Sequence, residues 1–301
     1  MELLTDAAVG DWLLERAGDW GRVGGVAGTG FEAYARILHP VPTTRMDLST
    51  ADEWGMHPVL EETRWSWAQV AARQGLTMHP LVQWNRLADL HQGVDFDDGW
   101  QAGQTQEGYL DLDLLAALTE NLARESSAPQ DLVAGIWNGW AEMNGGSRPL
   151  HAIEGSRLWA WLMRRRVQRE LGRRQQGLLR PEVRAAVEHG PHLEWPGREM
   201  VLFATSCDEL ADPSWVERAG IGVWPELHVA IGPQLIWPAD RSWTVASEID
   251  WDSTIVAGSR ALVDAVLADE RLEAFEVDED ADLTWEGDVV NPPRAGWCAG
   301  P

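Results

Sequence analysis

The chain has 301 residues, of which 45% are hydrophobic, enough for a packed core in one large domain or two smaller ones. It carries 48 acidic residues against 24 basic ones, all arginine, for a net charge of −24. The acidity disfavours binding to nucleic-acid phosphates, and the absence of lysine excludes a P-loop lysine, a Schiff-base lysine and the lysine of a Ser-x-x-Lys hydrolase.

Further features of the sequence indicate where the protein is located and which kinds of site it lacks the residues for. No basic segment followed by an apolar run is found at the N-terminus, and no window approaches the roughly 18 apolar residues of a membrane-spanning helix. The two cysteines, Cys207 and Cys298, are too few for a disulfide framework or a thiolate zinc site. We therefore expect a cytoplasmic protein with no membrane segment and no cofactor.

The N-terminal region predicts a helix and then a strand. A short helix over residues 3–16 is followed by the glycine-rich break "GDWGRVGGVAGTG". The next segment, "FEAYARIL" (31–38), alternates apolar and polar positions as a strand does.

Residues 64–87 predict two helices around a turn at Gly75, at the spacing of a helix-turn-helix. If this pair reads DNA, its second helix supplies the contacts to bases or phosphates. The candidate residues for those contacts are Gln83, Asn85 and Arg86. Pro80 and the acidic surroundings favour instead a helical pair with a structural role.

The middle of the chain predicts a helix, a buried strand and a second, basic helix. "LDLDLLAALTENLARES" (110–126) has leucines on one face, and "LVAGIWNGW" (132–140) reads as a strand entering a turn. The tryptophans of that turn are candidate anchors for a protein interface, because tryptophan is enriched at binding hot spots. They are Trp137 and Trp140.

The basic helix covers residues 156–174 and carries arginines at i, i+4 spacing. This face either grips an anion or an acidic partner, or pairs with carboxylates of the same chain, and the acidity of the chain favours the second interpretation. The arginines concerned are Arg165, Arg169 and Arg173.

The C-terminal third predicts a helix from Pro181 to Gly190 and then mostly strands. A helix over residues 258–268 lies between the last two strands, so that they form a β-α-β-like unit. The predicted strands are 200–205, 234–238, 242–250 and 272–277.

The stretch "SEIDWDSTIVAG" carries the best candidate for catalysis. Asp250, Asp252 and Thr254 are close to the Asp-x-Asp-x-Thr signature of phosphoryl-transfer enzymes of the haloacid dehalogenase type. In such a site one aspartate is the nucleophile, the second is the general acid or base, and carboxylates hold Mg²⁺. The candidate magnesium ligands are Glu248, Asp250 and Asp252, and the candidate for holding the phosphoryl group is Arg260.

Two features oppose a phosphatase site at this stretch. The strand leading to Asp250 alternates in polarity, which is not typical of a central parallel strand, and little chain follows it. The alternative hypothesis is that Asp252, Ser253 and Thr254 cap the turn that enters the helix over 258–268.

Four segments together resemble a family of uncharacterised actinobacterial proteins: "GFEAYARILHPV", "SWAQVAARQGLTMHP", "IWPADRSWTVASEIDWDSTIVAGSRALVDAVLADERLEA" and "GDVVN". The resemblance spans most of residues 30–291. It implies a GC-rich actinobacterial source, a cytoplasmic location and one integrated domain, and it brings no established activity, cofactor or catalytic residue. We therefore predict a helix and glycine-rich lead-in over 1–29, a single domain over 30–291 and a tail over 292–301.

The sequence predicts an α+β protein with a mixed, mainly antiparallel sheet and several packing helices. For its function we favour a non-enzymatic protein-binding or regulatory protein with a basic protein partner, since the charge is large and no complete catalytic constellation is evident. An immunity-like protein that neutralises a basic toxin fits this description. The alternatives are a Mg²⁺-dependent phosphohydrolase using Asp250 and Asp252, and a helix-turn-helix DNA-binding protein using residues 67–87. The sequence does not identify a small-molecule ligand.

Overall fold

The structure is a computed structural model, and it describes residues 1–89, 92–144, 178–223 and 231–294. These residues form a nine-stranded sheet and a four-stranded sheet, both antiparallel, together with several helices. The predicted α+β class with a mainly antiparallel sheet is confirmed. The strands are β1 (Glu2–Leu3), β2 (Ala33–Leu38), β3 (Val41–Met46), β4 (Val59–Trp65), β5 (Val94–Asp95), β6 (Trp100–Ala102), β7 (Leu132–Trp137), β8 (Leu193–Trp195), β9 (Arg198–Thr205), β10 (Leu235–Pro238), β11 (Thr244–Ser247), β12 (Ser253–Gly258) and β13 (Ala274–Val277).

Most of the helices in these ranges are short. A 3-10 turn covers Ala7–Gly10. The α-helices are α1 (Asp11–Leu14), α2 (Val23–Ala27), α3 (Trp67–Gln74), α4 (Trp84–Leu87), α5 (Leu112–Glu125), α6 (Pro181–His189), α7 (Cys207–Leu210), α8 (Trp215–Arg218) and α9 (Arg260–Leu267). No helix in the described ranges has the length and apolar character to cross a membrane.

Strand β2 is the last but one strand of the larger sheet, whose strand order is β1-β9-β7-β10-β11-β12-β2-β13, with β8 also paired to β9. Both β12 and β13 run antiparallel to β2 and are therefore parallel to each other. With α9 between them in the chain, they form a β-α-β unit split by β2. The predicted helix before the last strand is confirmed, whereas the strand that precedes it, β12, was not predicted.

The larger sheet is covered on both faces, and β2 shows this most clearly because all six of its residues are buried. Ala35 and Ile37 belong to a hydrophobic cluster that includes residues of α5 to α9. Tyr34, pointing to the opposite face, belongs to a second cluster with residues of α1 and α2. Burial of both faces fits the composition of β2, in which Arg36 is the one charged residue among six.

The four-stranded sheet, in the order β4-β3-β6-β5, packs with α3 and α4 around a third hydrophobic cluster. Trp67 and Trp84 contact each other there with ring centroids 5.3 Å apart. Helix α3 begins with a capping box, in which the Ser66 side chain accepts from the backbone N–H of Gln69 and the Gln69 side chain accepts from that of Ser66. The capping box therefore determines where α3 begins, and the contact between Trp67 and Trp84 packs α4 against it.

Several further predicted elements are confirmed. The helices over 110–126 and from 181 to 190 are α5 and α6. The strands over 31–38, 132–140, 200–205, 234–238, 242–250 and 272–277 are β2, β7, β9, β10, β11 and β13.

Three predictions about local structure are wrong. Residues 3–16 form a short strand, a 3-10 turn and α1 rather than one helix. The second helix of the 64–87 pair is reduced to the single turn of α4, because Pro80 has no N–H to donate and disfavours helical backbone before it. Thr254 does not enter a helix but lies in β12, and the cap of α9 is Ser259, whose hydroxyl accepts from the Leu262 N–H at 3.1 Å.

The predicted domain boundaries after residues 29 and 291 stay predictions. Within the first segment, Trp12, Leu13 and Val23 pack into the second hydrophobic cluster, and β1 pairs with β9. The basic helix predicted over 156–174 lies outside the described residues.

Candidate functional site

The stretch "SEIDWDSTIVAG" forms a β-hairpin rather than a strand followed by a helix. Strand β11 ends at Ser247, β12 begins at Ser253, and the two pair antiparallel. The Trp251 N–H donates to the Glu248 carbonyl at 3.1 Å and closes the turn. Asp250 and Asp252 therefore lie on the turn of a hairpin.

The two aspartates of this turn have different environments. Asp250 is exposed and accepts from Arg198 at 2.8 Å, and the same guanidinium group donates to Glu248 at 2.5 Å. Asp252 is half-buried and accepts from the Thr105 hydroxyl at 3.0 Å. Burial raises the pKa of Asp252 more than the nearby Arg36 lowers it.

The predicted magnesium ligands are not brought together as a metal site. Two of them, Glu248 and Asp250, bind the guanidinium group of Arg198. In the described ranges, no group of three or more His, Cys, Asp or Glu side chains is placed to hold a metal ion.

The other residues of the predicted phosphoryl-transfer site are also kept apart. Arg260 lies beyond the far end of β12 and forms ion pairs with Glu276 at 2.8 Å and Asp264 at 3.7 Å. A six-residue strand spans about 17–20 Å, so Arg260 does not reach a group bound at Asp250 or Asp252. Among the described residues, the side chains predicted for phosphoryl transfer are therefore not gathered at one site.

Thr254, the last of these candidates, belongs to a chain of hydrogen bonds that is buried except at its Gln106 end. The Nδ1–H of His39 donates to the Gln106 carbonyl at 2.6 Å, which leaves Nε2 to accept from the Thr254 hydroxyl at 2.8 Å. The Thr254 hydroxyl accepts in turn from Ser247 at 2.7 Å. Burial lowers the pKa of His39 to about 4, so the imidazole is neutral at pH 7. His39, which precedes Pro40, was not among the site residues predicted from the sequence.

Arg36 connects the larger sheet to the segment before α4, beneath the turn. Its buried guanidinium group donates to the Ser253 hydroxyl at 3.0 Å and to the carbonyls of Val82 and Pro80 at 2.8 and 3.1 Å. Burial lowers its pKa to about 10, which still leaves it charged at pH 7. Arg36 thus holds the segment before α4 against the start of β12.

The residues predicted to contact DNA lie in this same buried region. Gln83, Asn85 and Arg86 are all buried, and the Arg86 side chain donates to the Asp288 carbonyl at 3.3 Å. Side chains this deeply buried are not displayed on a surface that a DNA duplex can contact. The structure does not support DNA binding through residues 67–87.

A cleft of about 310 Å³ opens between the 250–252 turn and α4. Its walls come from four separate parts of the chain and combine carboxylates, amides and tryptophans. The lining residues are Gln83, Trp84, Asn85, Gln104, Glu107, Asp250, Trp251, Asp252 and Trp285. The cleft is hereafter called the acidic cleft.

The tryptophans predicted as interface anchors are half-buried. Trp137 and Trp140 contact each other with centroids 5.8 Å apart, and the Trp140 Nε1–H donates to the Gln234 side chain at 3.1 Å. Strongly exposed tryptophans occur elsewhere, at Trp20 and Trp54. The arginines predicted as a second binding face, Arg165, Arg169 and Arg173, lie outside the described residues.

A second exposed feature is the hairpin formed by β3, β4 and the loop between them, here called the 41–65 hairpin. Its large apolar side chains reach solvent, with Trp54 81% exposed and Leu60 59% exposed. The others are Leu48, Met56 and Val59. Strand β4 is the end strand of its sheet, and six of its seven residues are exposed.

The loop of this hairpin is held in one conformation. The Asp52 carboxylate accepts from the backbone N–H groups of Trp54 and Met56 at 2.9 and 2.8 Å. Gly55 adopts φ +79°, a left-handed conformation that glycine accepts without strain. The exposed apolar side chains are therefore displayed on an ordered turn.

We compared the chain with known proteins in three ways. Neither the family models, nor the curated proteins, nor the solved structures include a match to this chain.

Proposed function

We propose that the protein is a non-enzymatic binding protein that recognises a basic partner protein through the 41–65 hairpin. The observation that carries this proposal is the concentration of exposed apolar side chains on an ordered hairpin with an open strand edge. Clusters of this kind mark protein interfaces, and an open edge offers unpaired backbone groups to an incoming strand.

The order of the hairpin loop supports binding, because side chains that are already held in place lose less conformational entropy when a partner docks. The Asp52 carboxylate fixes the turn that displays Trp54 and Met56. Tryptophan and methionine are among the residues enriched at protein interfaces.

The charge of the hairpin indicates the chemistry of the partner. Between residues 41 and 65 the chain carries five carboxylates, at positions 47, 52, 53, 61 and 62, against arginines at 45 and 64. Glu61 and Glu62 lie on β4 itself. A second copy of this chain would place like charges opposite each other across the paired edges, which is unfavourable. A basic segment pairing with β4 gains the opposite interaction.

The proposal also covers the cellular location of the protein and its biological role. A cytoplasmic location is supported by the low cysteine content, which is typical of proteins in reducing compartments. In an immunity-like role, the basic partner would be a toxin that this protein binds and neutralises.

A positive charge placed on the open edge of β4 is expected to prevent binding of the partner protein. We expect Leu60→Lys to abolish the interaction, because lysine on an edge strand opposes strand addition and repels a basic segment. We expect Trp54→Ala to weaken it, since an exposed aromatic anchor is removed. Neither change should alter the melting temperature, because both side chains are largely exposed.

The measurement is affinity capture from a lysate of the source organism, quantified by mass spectrometry for each variant. Val289→Lys is the matched control, since Val289 is 88% exposed but lies outside the hairpin. Support requires a basic protein that the native chain and the control capture and Leu60→Lys does not, with slowed amide exchange over 59–65 in the complex. Equal capture by Leu60→Lys and the control contradicts the proposal.

A further inference from the structure

We infer that the acidic cleft is a binding site for a guanidinium group. The site is separate from the 41–65 hairpin, and the inference does not depend on the function proposed for that hairpin. It rests on the charge of the cleft, its aromatic walls and the unpartnered polar atoms at its floor.

The charge of the lining side chains is entirely negative. Three carboxylates, those of Glu107, Asp250 and Asp252, line the cleft, and none of the lining residues in the described part of the chain is basic. Asp250 is paired with Arg198, and Asp252 is accompanied by Arg36 beneath it.

Glu107 differs from the other two carboxylates in having no such basic neighbour: it forms no ion pair with any described residue, and the charges that act on its pKa are those of Asp252 and Asp250. Partial burial and the proximity of Asp252 and Asp250 raise the pKa of Glu107. A cation placed between these three carboxylates would relieve their mutual repulsion.

The aromatic walls fit a flat organic cation. The cleft is lined by Trp84, Trp251 and Trp285, and the exposed ring of Trp20 packs against Trp251 with centroids 6.1 Å apart. Cations are attracted to the faces of tryptophan rings, and the planar guanidinium group also stacks on them.

The floor of the cleft provides the independent observation that points to a ligand. Asn85 lines the cleft with only 4% of its surface exposed, and neither its amide oxygen nor its amide nitrogen has a hydrogen-bond partner in the described part of the protein. The Nε1–H of Trp84, the preceding residue, is also buried without a partner there. Buried polar groups are nearly always satisfied, so unsatisfied ones beneath an open cleft indicate a missing partner.

The hydrogen-bond acceptors that line the cleft favour a guanidinium group over an ammonium group as the ligand. The side chains that line the cleft include the carboxylates of Glu107, Asp250 and Asp252 and the amides of Asn85 and Gln104. A guanidinium group has five N–H donors in one plane and can serve acceptors on several sides, whereas an ammonium group is a compact, strongly hydrated charge. A volume of about 310 Å³ is at the lower end of small-ligand sites, which suits one such group with a short substituent.

The guanidinium group has two sources, a free small molecule or an arginine side chain of another protein. The probes are therefore N-ethylguanidinium, the tripeptide acetyl-Gly-Arg-Gly-amide and N-ethylammonium. Because the chain has 19 tryptophans, bulk fluorescence averages over all of them. Indole ¹⁵N–¹H spectra separate the individual tryptophans, and calorimetry gives the affinities.

We expect N-ethylguanidinium to shift the indole signals of Trp84, Trp251 and Trp285 and to bind more tightly than N-ethylammonium. Glu107→Gln should weaken binding about tenfold or more, because a charge-assisted hydrogen bond is lost. Glu217→Gln is the matched control, since Glu217 is exposed on α8 and does not line the cleft.

Asn85→Leu supplies a second test with a distinctive signature. It should weaken guanidinium binding while raising the melting temperature, because it removes two unsatisfied buried polar atoms and keeps the shape of the side chain. A purely structural asparagine would lower the melting temperature on substitution.

The binding measurements distinguish the two sources of the guanidinium group and can also overturn the inference. Tighter binding of N-ethylguanidinium than of the tripeptide supports the site with a small molecule as its ligand, and the reverse order supports it with a protein's arginine. The inference is overturned if none of the three indole signals moves, if N-ethylammonium binds equally well, or if Glu107→Gln and Glu217→Gln bind alike.

Discussion

Replacement of Arg36 by methionine is expected to lower the free energy of unfolding by about 3–5 kcal/mol. Methionine fills a similar volume but donates nothing, so the carbonyls of Pro80 and Val82 lose their buried donor. The half-buried carboxylate of Asp252 also loses its nearest compensating charge. Since whole domains are stable by only about 5–15 kcal/mol, urea denaturation at pH 7 should show a large shift of the midpoint.

A second substitution separates the effect of the lost charge beside Asp252 from the effect of the lost hydrogen bonds to the carbonyls of Pro80 and Val82. Asp252→Asn alone should cost little, because burial already raises the pKa of Asp252 and its ionised form is not favoured by folding. In the Arg36→Met background, Asp252→Asn should recover part of the lost stability. Arg218→Met is the control, since Arg218 forms an exposed pair with Asp212 and its removal should change little. An Arg36→Met protein as stable as the Arg218→Met protein would show that Arg36 does not hold the segment before α4 against the larger sheet.

Acidification between pH 6.5 and pH 4 is expected to destabilise the native protein through His39. The folded state lowers the pKa of His39 from 6.5 to about 4, so in this interval the unfolded chain binds a proton that the folded chain does not. Stability contributed by neutral His39 is thus present above pH 6.5 and is lost as the pH falls toward 4. The size of the loss is about 3 kcal/mol.

Other groups titrate over the same interval, so the effect must be measured as a difference between variants. The raised pKa values of Glu107, Glu248 and Asp252 favour the folded state as the pH falls and partly mask the effect of His39. His39→Gln keeps an acceptor for the Thr254 hydroxyl and has no proton to gain, so its unfolding free energy should fall less on acidification. His189→Gln, which removes an exposed histidine, should follow the native curve. Parallel pH curves for the native and His39→Gln proteins would contradict the assignment of a neutral buried imidazole.

Elements with strong local signals were predictable from the sequence. Helix α5 has a leucine face along its whole length, and β9 and β10 are short apolar runs. Strand β12 was not predictable, because Asp-Ser-Thr after a strand is typical of a helix cap. Its identity as a strand depends on pairing with β2, which lies far away in the sequence.

The candidate site was predictable only in part, for the same reason. The spacing of Asp250 and Asp252 identified the turn, and these residues do line the acidic cleft. The surrounding residues come from remote segments, among them Asn85, which was considered only as a DNA contact, and Glu107. Tertiary structure alone brings their side chains together, so no local pattern could indicate them.

The placement of β2 also constrains the order in which the protein can fold. Arg36 and Ser253 share a hydrogen bond although they are 217 positions apart in the chain. On a ribosome, both edges of β2 stay unpaired until β12 and β13 emerge, long after β2 itself. Pairing over such sequence separations slows folding and leaves an apolar strand open to aggregation, so we expect the nascent chain to be most prone to aggregation before β12 and β13 have emerged.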